Sequence, residues 1–152
     1  MDEVTSLPIE AMRAAIIEVE RRLRAHPDAV GQEAFALHHH FAPGTYAREI
    51  ELPAGSLVVG RIHRHAHVNV ISKGYVLVAT PDGAEELRAP KTFISAPGTK
   101  RVVYAVEDTV WTTVHLNEAE ERDPDKLVET LTAPTFEALD AEAALAIGVD
   151  NQ

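Results

Sequence analysis

The feature that most constrains the fold is a run of short extended segments between residues 35 and 117. The segments are rich in Val, Thr, Tyr and Ile, and turn-forming pairs such as Lys73-Gly74 and Pro97-Gly98 separate them. About eight or nine strands at this spacing are typical of a β-sandwich or β-barrel. Because no helix-length segment interrupts them, the pattern disfavours a parallel βαβ sheet and predicts an all-β fold. The candidate strands are residues 35–39, 45–52, 56–64, 66–72, 74–80, 84–88, 91–96, 100–106 and 109–116.

Helical patterns flank the strands on both sides. From Ile9 to Leu23 apolar side chains recur every third or fourth residue, which predicts one amphipathic helix over residues 8–25. Beyond Asn117 the composition turns acidic, and two short helices are expected with Pro124 and Pro134 near their starts. The whole chain is expected to form one compact domain in three parts. These are an N-terminal helical extension at 1–34, a barrel at 35–117 and a C-terminal helical extension at 118–152.

Charge and composition exclude several classes of function. The 152 residues include 14 Lys and Arg against 24 Asp and Glu, so the formal net charge is −10. This acidic balance disfavours nucleic acid and anionic membranes as partners. The chain contains no cysteine, which excludes a disulfide framework, a thiol nucleophile and a thiolate zinc site. A nucleic-acid role is kept only as a distant alternative, because five cations could form a local basic face: Arg61, Arg64, Lys73, Lys100 and Arg101.

No segment has the character of a membrane span or a secretory signal. The apolar runs are shorter than the roughly 18 residues of a transmembrane helix. Residues 1–12 are acidic and lack the basic and apolar regions of a signal peptide. We therefore expect a cytoplasmic protein with no membrane partner.

The eight histidines are unevenly placed, and three of them alternate in the sequence at His63, His65 and His67. On an unbroken strand all three share one face, with neighbours about 7 Å apart and the outer two about 13 Å apart. They therefore converge on one ion only if the chain bends between them. Imidazoles without cysteine suit zinc, iron, manganese or nickel. The alternative is a solvated histidine patch on the outer face of a strand.

Two further histidine positions contribute less to this prediction. The triplet His38-His39-His40 points to both faces of a strand and is interpreted as surface or structural. His115 shares a strand face with Trp111, and in a barrel this face could lie opposite residues 63–67. The candidate metal ligands are His63, His65, His67 and His115.

The stretch from Tyr46 to His115 resembles the cupin superfamily, in particular small cupin-like proteins of unknown function from bacteria, phages and prophages. The first cupin motif has a Gly, an HxH pair, a Glu a few residues later and a closing Gly. When Gly74 is taken as the closing Gly, His67 falls at the Glu position and His63 at the second histidine. Arg61 then stands where the first histidine of the motif is expected.

The second cupin motif is also altered in this chain. It has Pro-x-Gly followed shortly by a histidine, and here Pro97 is displaced next to Gly98 while Arg101 stands at the histidine position. A guanidinium cannot ligate a cation, but it can bind a carboxylate or phosphate with two parallel hydrogen bonds. Arg101 is therefore a candidate ligand-binding residue, with a plain surface position as its alternative. Tyr104 is a second candidate if its ring projects inward.

The resemblance implies a cupin-like β-barrel, that is a double-stranded β-helix or jelly roll, with one N-terminal and one or two C-terminal helices. In the family the second histidine and the Glu lie on either side of a turn, so His63 and His67 would share a metal if residues 64–66 turn in the same way. His65 or His115 would then replace the missing ligands.

The favoured function is binding of one divalent metal ion through this histidine cluster, together with a small-molecule ligand or substrate. The alternative is a metal-free binding or structural module that acts through dimerisation or a protein partner, and a homodimer is expected in either case. Whether the protein is an enzyme stays open, because no nucleophile–base set, phosphate loop or dinucleotide motif is present.

Overall fold

The computed structural model describes residues 8–31 and 34–150, so the ends of the predicted extensions at 1–7 and 151–152 lie outside the described residues. The predicted class, an all-β barrel with one N-terminal and one or two C-terminal helices, is confirmed, with two C-terminal helices present. The helices are Ile9–Ala25 (α1), Pro124–Leu131 (α2) and Phe136–Asp150 (α3). The strands are Ala36–Ala42 (β1), Thr45–Leu52 (β2), Leu57–Val59 (β3), Ile62–His63 (β4), His67–Lys73 (β5), Tyr75–Thr80 (β6), Gly83–Arg88 (β7), Lys91–Ser95 (β8), Val102–Ala105 (β9), Thr109–Leu116 (β10) and Thr132–Ala133 (β11).

Two antiparallel sheets face each other across an apolar core. The larger sheet has the order β1-β2-β10-β5-β8, and the smaller has the order β3-β9-β6-β7. Both sheets contribute to one cluster of buried side chains, so the core lies between them. Its members are Ile50, Leu52, Ile71, Val76, Val78, Leu87, Val103, Ala105 and Trp111.

The inner face of the larger sheet changes character from one end to the other. The register of β2 and β10 places Ile50 opposite Trp111 at one end, and Tyr46 opposite His115 at the other end. Strand alternation keeps all four side chains on the inner face because they are separated by even numbers of residues. The first pair belongs to the apolar core, whereas the second pair carries polar rings.

The predicted strand over residues 56–64 is in fact two strands in two different sheets, β3 and β4. The chain breaks at Gly60 and Arg61, where the amide of Gly60 donates to the carbonyl of Arg101 at 2.8 Å. β4 then pairs with β11 instead of continuing beside β9. Ile62 is 1% exposed and packs against Phe136 of α3, which holds β4 away from the smaller sheet.

The helices pack on the outside of the barrel. α1 buries Ile16, and its Glu20 accepts from the buried Lys100 ammonium at 2.9 Å. α2 buries Leu127 and Leu131 against Tyr46, so this helix covers the polar end of the barrel. Strand β11 lies within the predicted C-terminal extension, yet it pairs with the predicted barrel, and the domain boundaries stay a prediction.

The five cations considered for a basic face do not share one exposed surface. Lys100 is buried against α1, Arg64 donates to the carbonyl of Thr132 at 2.8 Å, and Arg101 lies inside the barrel. Arg61, Arg64 and Lys100 nevertheless line one open cavity, and the nucleic-acid alternative stays a prediction. Along the described part of the chain, no helix combines the length and the apolar character needed to cross a membrane.

Candidate metal and ligand site

Three histidine rings meet at the polar end of the barrel. The ring centroids of His63 and His67 lie 4.3 Å apart, those of His67 and His115 lie 4.9 Å apart, and those of His63 and His115 lie 5.7 Å apart. The rings of His63 and His115 are almost parallel, with an interplanar angle of 7°. Three of the four predicted metal-ligand candidates thus lie side by side.

A bend between β4 and β5 brings His63 and His67 together. Residues 64–66 belong to neither strand, so the two histidines stand on either side of a direction change rather than on one straight strand. His65 lies at the bend with its side chain exposed to solvent. The expectation that His65 joins the cluster is therefore wrong, because a residue at the tip of the bend points outward.

Burial keeps the three clustered histidines neutral. His67 and His115 are 4% and 8% exposed, and His63 is partly buried. Loss of solvent, followed by repulsion from His67 and His115, lowers the pKa of His63 to about 3. Burial first, then the neighbouring charges of His67 and Arg48, lowers the pKa of His115 to about 4. The pKa of His67 is lowered too, chiefly by burial.

The proton on neutral His67 can be placed from its hydrogen bond. Its Nδ1 lies 3.2 Å from the carbonyl oxygen of His65, and because a carbonyl only accepts, Nδ1 must carry the proton. The Nε2 atom therefore presents a lone pair, and it is buried without a hydrogen-bond partner among the described residues. Nδ1 of His63 is likewise buried without a partner there.

Unpartnered buried nitrogens are costly, and metal-binding histidines commonly donate their other N–H to a backbone carbonyl. His67 has this arrangement through the carbonyl of His65, and His115 is fixed by a 2.9 Å contact between its Nε2 and the Thr113 hydroxyl. The donor chemistry of the trio therefore suits a divalent ion. In the orientations of the described side chains, no group of three or more His, Asp or Glu residues is arranged to hold one.

A cavity of about 330 Å³ opens beside the trio. His63 and His115 line it, and α2 forms its far wall through Leu127 and Leu131. Arg48 also lines the cavity, at the inner position next to Tyr46 on β2.

A row of stacked rings joins the trio to the edge of the larger sheet. Tyr46 stacks on His115 at 6.1 Å and on His39 at 5.8 Å, and its hydroxyl lies 2.6 Å from Nδ1 of His39. Both Tyr46 and His39 line the 330 Å³ cavity. Neither residue was among the predicted site components.

Arg48 and Tyr46 could have been found from the sequence. In the segment 45–52 the side chains of Tyr46, Arg48, Ile50 and Leu52 alternate with outward positions, so an arginine shares a face with three residues that suit a core. A cation at an inward position is a signal for a polar interior. His39 has no comparable signal, because its neighbours His38 and His40 are equally polar.

Arg101 lies in a second, smaller cavity inside the barrel. This space of about 90 Å³ also borders His63, Arg48 and Trp111. The guanidinium of Arg101 donates to the hydroxyl of Ser95, and its carbon lies 5.6 Å from the centre of the Trp111 ring. The surface alternative for Arg101 is therefore wrong.

Tyr104 lies on the outside of the smaller sheet. Its side chain is 42% exposed, and it pairs in register with the exposed Leu57 and Leu77. Its even spacing from Val102 puts it on the face opposite to the buried Val103 and Ala105. The expectation that Tyr104 projects inward and binds a ligand is wrong, because strand alternation turns it to solvent.

Comparisons with known proteins agree with this architecture at the level of fold. No protein-family model matches the chain, and no curated protein sequence matches it. Among solved structures, it is similar to a cupin 2 domain-containing protein from Halorhodospira halophila, with 19% identity, a TM-score of 0.49 and coverage of 78% of this chain and 86% of the other. It is also similar to the Schizosaccharomyces pombe Cnp3 cupin domain, with 17% identity, a TM-score of 0.47 and coverage of 60% and 68%.

These similarities are similarities of fold. A third similar structure is the salicylate 1,2-dioxygenase from Pseudoaminobacter salicylatoxidans, with 13% identity, a TM-score of 0.49 and coverage of 70% of this chain but 31% of the other. The predicted cupin resemblance is confirmed for the fold alone, which rests on the facing antiparallel sheets described above. An origin in bacteria or phages stays a prediction.

Proposed function

We propose that the polar end of the barrel binds one divalent metal ion through His63 and His67, with His115 as a third nitrogen donor. The observation that carries the proposal is a pair of buried nitrogens, Nε2 of His67 and Nδ1 of His63, that have no hydrogen-bond partner among the described residues. Both belong to rings whose lowered pKa keeps them neutral, and a neutral imidazole is the form that binds metal. Zinc, iron, manganese and nickel are the metals that this nitrogen set suits.

The protein's own groups have defined parts in this proposal. The carbonyl of His65 fixes the proton of His67 on Nδ1, and the hydroxyl of Thr113 restrains His115. Leu127 and Leu131 of α2 cover the site and limit the access of water. The imidazoles must reorient on binding, and the bound metal would supply Lewis-acid polarisation of an oxygen atom on a small molecule in the adjoining 330 Å³ cavity.

Metal titration of untagged, chelator-treated protein tests the proposal. Zn²⁺, Mn²⁺, Ni²⁺ and anaerobic Fe²⁺ are titrated by calorimetry, and metal content is measured after dialysis. We expect one equivalent of at least one metal in the wild type, and at least about 100-fold weaker binding in His63→Ala and His67→Ala, since loss of an outer partner alone costs about 10- to 100-fold.

The control is the double variant His38→Gln/His40→Gln, which removes two exposed histidines and leaves the trio intact. It is expected to bind metal as the wild type does. Equal or negligible metal content in all four proteins would refute a metal site at the trio.

A metal-free binding module is the second candidate function. It is favoured by Arg101, whose positive charge acts on both His63 and His67 and opposes a cation beside them. In that case a chelator leaves the melting temperature of the purified protein unchanged, whereas removal of a resident metal lowers it. A small-molecule ligand, a homodimer and a cytoplasmic location remain part of the proposal.

A further inference from the structure

The interior of this acidic protein is locally cationic. Of the described residues that line the 90 Å³ cavity, three are arginines and none is acidic: the arginines are Arg48, Arg61 and Arg101. The larger cavity has Asp125 as the acidic residue among its described lining, on the first turn of α2. A chain with a net charge of −10 thus places cations around the space where its ligand would lie.

Arg101 is one of two partly buried cations in this set, with Arg48, whereas Arg61 is exposed. The Arg101 guanidinium is held by the Ser95 hydroxyl and by the faces of Phe93 and Trp111, at 5.3 and 5.6 Å from the ring centres. It makes no ion pair with any carboxylate among the described residues, and Glu85 is the acid whose charge reaches it. Burial lowers the pKa of Arg101 to about 10, so the group remains charged at neutral pH.

A buried charge without a counter-ion is unfavourable, which makes this position receptive to an anion. The polar groups behind Arg101 are already committed to each other. Ser95 accepts from the Asn69 amide at 2.7 Å, and the Asn69 oxygen accepts from Trp111 Nε1 at 3.0 Å. This chain of bonds holds the guanidinium in place from behind.

We infer that the barrel interior binds a small monocarboxylic acid, with its carboxylate on the guanidinium of Arg101 and its apolar body in the 90 Å³ cavity. The remaining lining favours an apolar body, because it consists largely of aliphatic side chains: Ile50, Leu52, Val58 and Val103. Phosphate is disfavoured, since a dianion without an apolar part would lose its hydration against these side chains. A guanidinium pairs well with the planar carboxylate group.

The inference names the ligand class of the proposed site. Binding of the acid does not require the metal, whereas any joint role of acid and metal rests on the proposed function. His63 borders both cavities, so an acid held by Arg101 lies next to the proposed metal ligands. Three neutral imidazoles, a dication and Arg101 would leave an uncompensated positive charge. A bound carboxylate offsets part of this positive charge and so weakens the objection that Arg101 opposes a metal.

The single tryptophan provides the test. Trp111 borders the small cavity, so its fluorescence reports on the occupant. Chelator-treated protein is titrated with butyrate, butyramide and inorganic phosphate, first without metal and then with Zn²⁺. We expect saturable binding of butyrate in the metal-free protein and at least about tenfold weaker binding of butyramide and phosphate, since hydrogen bonds to a charged group contribute about 1.5–3 kcal/mol.

The expected result in Arg101→Gln is loss of the preference for butyrate over butyramide. Arg101→Lys keeps the charge but cannot form two parallel hydrogen bonds to a carboxylate. Its preference for butyrate over butyramide is expected to lie between those of the wild type and Arg101→Gln. Arg88→Gln is the matched control, because Arg88 also lies over an aromatic ring, 3.7 Å from the centre of Tyr75, but at the surface. It should bind butyrate as the wild type does.

Equal affinity for butyrate and butyramide, or phosphate binding as tight as butyrate, would overturn the inference in the wild type without any variant. Butyrate binding that depends on Arg101 without any metal uptake would uphold the inference while the metal proposal fails. Metal uptake through His63 and His67 without any preference for butyrate would support the metal proposal and overturn the inference about the acid.

Discussion

Two groups of three histidines lie in the same sheet-rich domain and have opposite surroundings. His38 and His40 are exposed on β1 and contact Glu51 and Glu49 at 3.2 and 3.0 Å. His63, His67 and His115 are packed against each other inside the barrel, with arginines instead of carboxylates beside them. The same side chain is therefore a hydrated surface group in one place and a neutral donor in the other.

The difference teaches that clustering in the sequence is a poor guide to clustering in space. Consecutive residues on a strand point to opposite faces, so His39 turns away from His38 and His40 and reaches the hydroxyl of Tyr46. His115 is far from His63 and His67 along the chain, but the register of β10 with β5 brings it beside them. Three predictions sharpen this contrast.

The largest effect is expected from acid. Folded His63 has a pKa of about 3 against 6.5 in the unfolded chain, so between these values the unfolded state binds more protons and the free energy of unfolding falls as the pH falls. His63→Gln removes this contribution. In chelator-treated protein, denaturant titrations at pH 7 and pH 4 should show that the wild type loses about 3 kcal/mol more than this variant.

The matched variant His38→Gln replaces an exposed histidine. Its free energy of unfolding should depend on pH as steeply as that of the wild type. An equal decrease in the free energy of unfolding for His63→Gln and the wild type between pH 7 and pH 4 would contradict the prediction. It would mean that burial of His63 does not make stability depend on pH.

An intermediate effect is expected from Tyr46→Phe. This change keeps the ring that packs on Leu127 and Leu131 and removes the hydroxyl that contacts His39 at 2.6 Å. Because His39 is exposed and can be hydrated instead, the free energy of unfolding should fall by only about 1 kcal/mol. A loss above about 3 kcal/mol in urea titrations would mean that the hydroxyl supports the buried trio rather than one edge contact.

The smallest effect is expected from His38→Gln/His40→Gln. Exposed ion pairs contribute about 0–1 kcal/mol, and salt screens them. The free energy of unfolding at pH 6 should change by less than about 0.5 kcal/mol, and 0.5 M NaCl should reduce the difference further. A larger change that persists in high salt would show that the surface triplet has a structural role beyond these pairs.

Local patterns were sufficient for most of the fold. Alternation and turn residues identified the strands of 35–117, and spacings of three and four residues identified α1. They failed at Gly60, where one predicted strand is two, because the packing of Ile62 on Phe136 decides the path of β4. That contact joins distant parts of the chain and leaves no local pattern.

The candidate site was predicted in part. His63 and His67 were selected by their positions in the cupin-like motif, and they lie side by side. His65, at the tip of the bend between them, is exposed to solvent. Alternation alone would have placed Tyr104 outside, since Val103 and Ala105 are buried. Arg48 was missed although it shares its inward face with Ile50.

The sequence by itself determined the class of the fold, the nitrogen and oxygen character of any metal site, and the alternation of inward and outward side chains. These properties depend on composition and on neighbours within a few residues. Only the tertiary structure decided that His115 joins His63 and His67, that α2 covers the polar end, and that Arg101 faces inward with no carboxylate partner in the described part of the chain. Strand register and helix packing between distant segments set these contacts, and with them the burial and charge that govern the chemistry of each side chain.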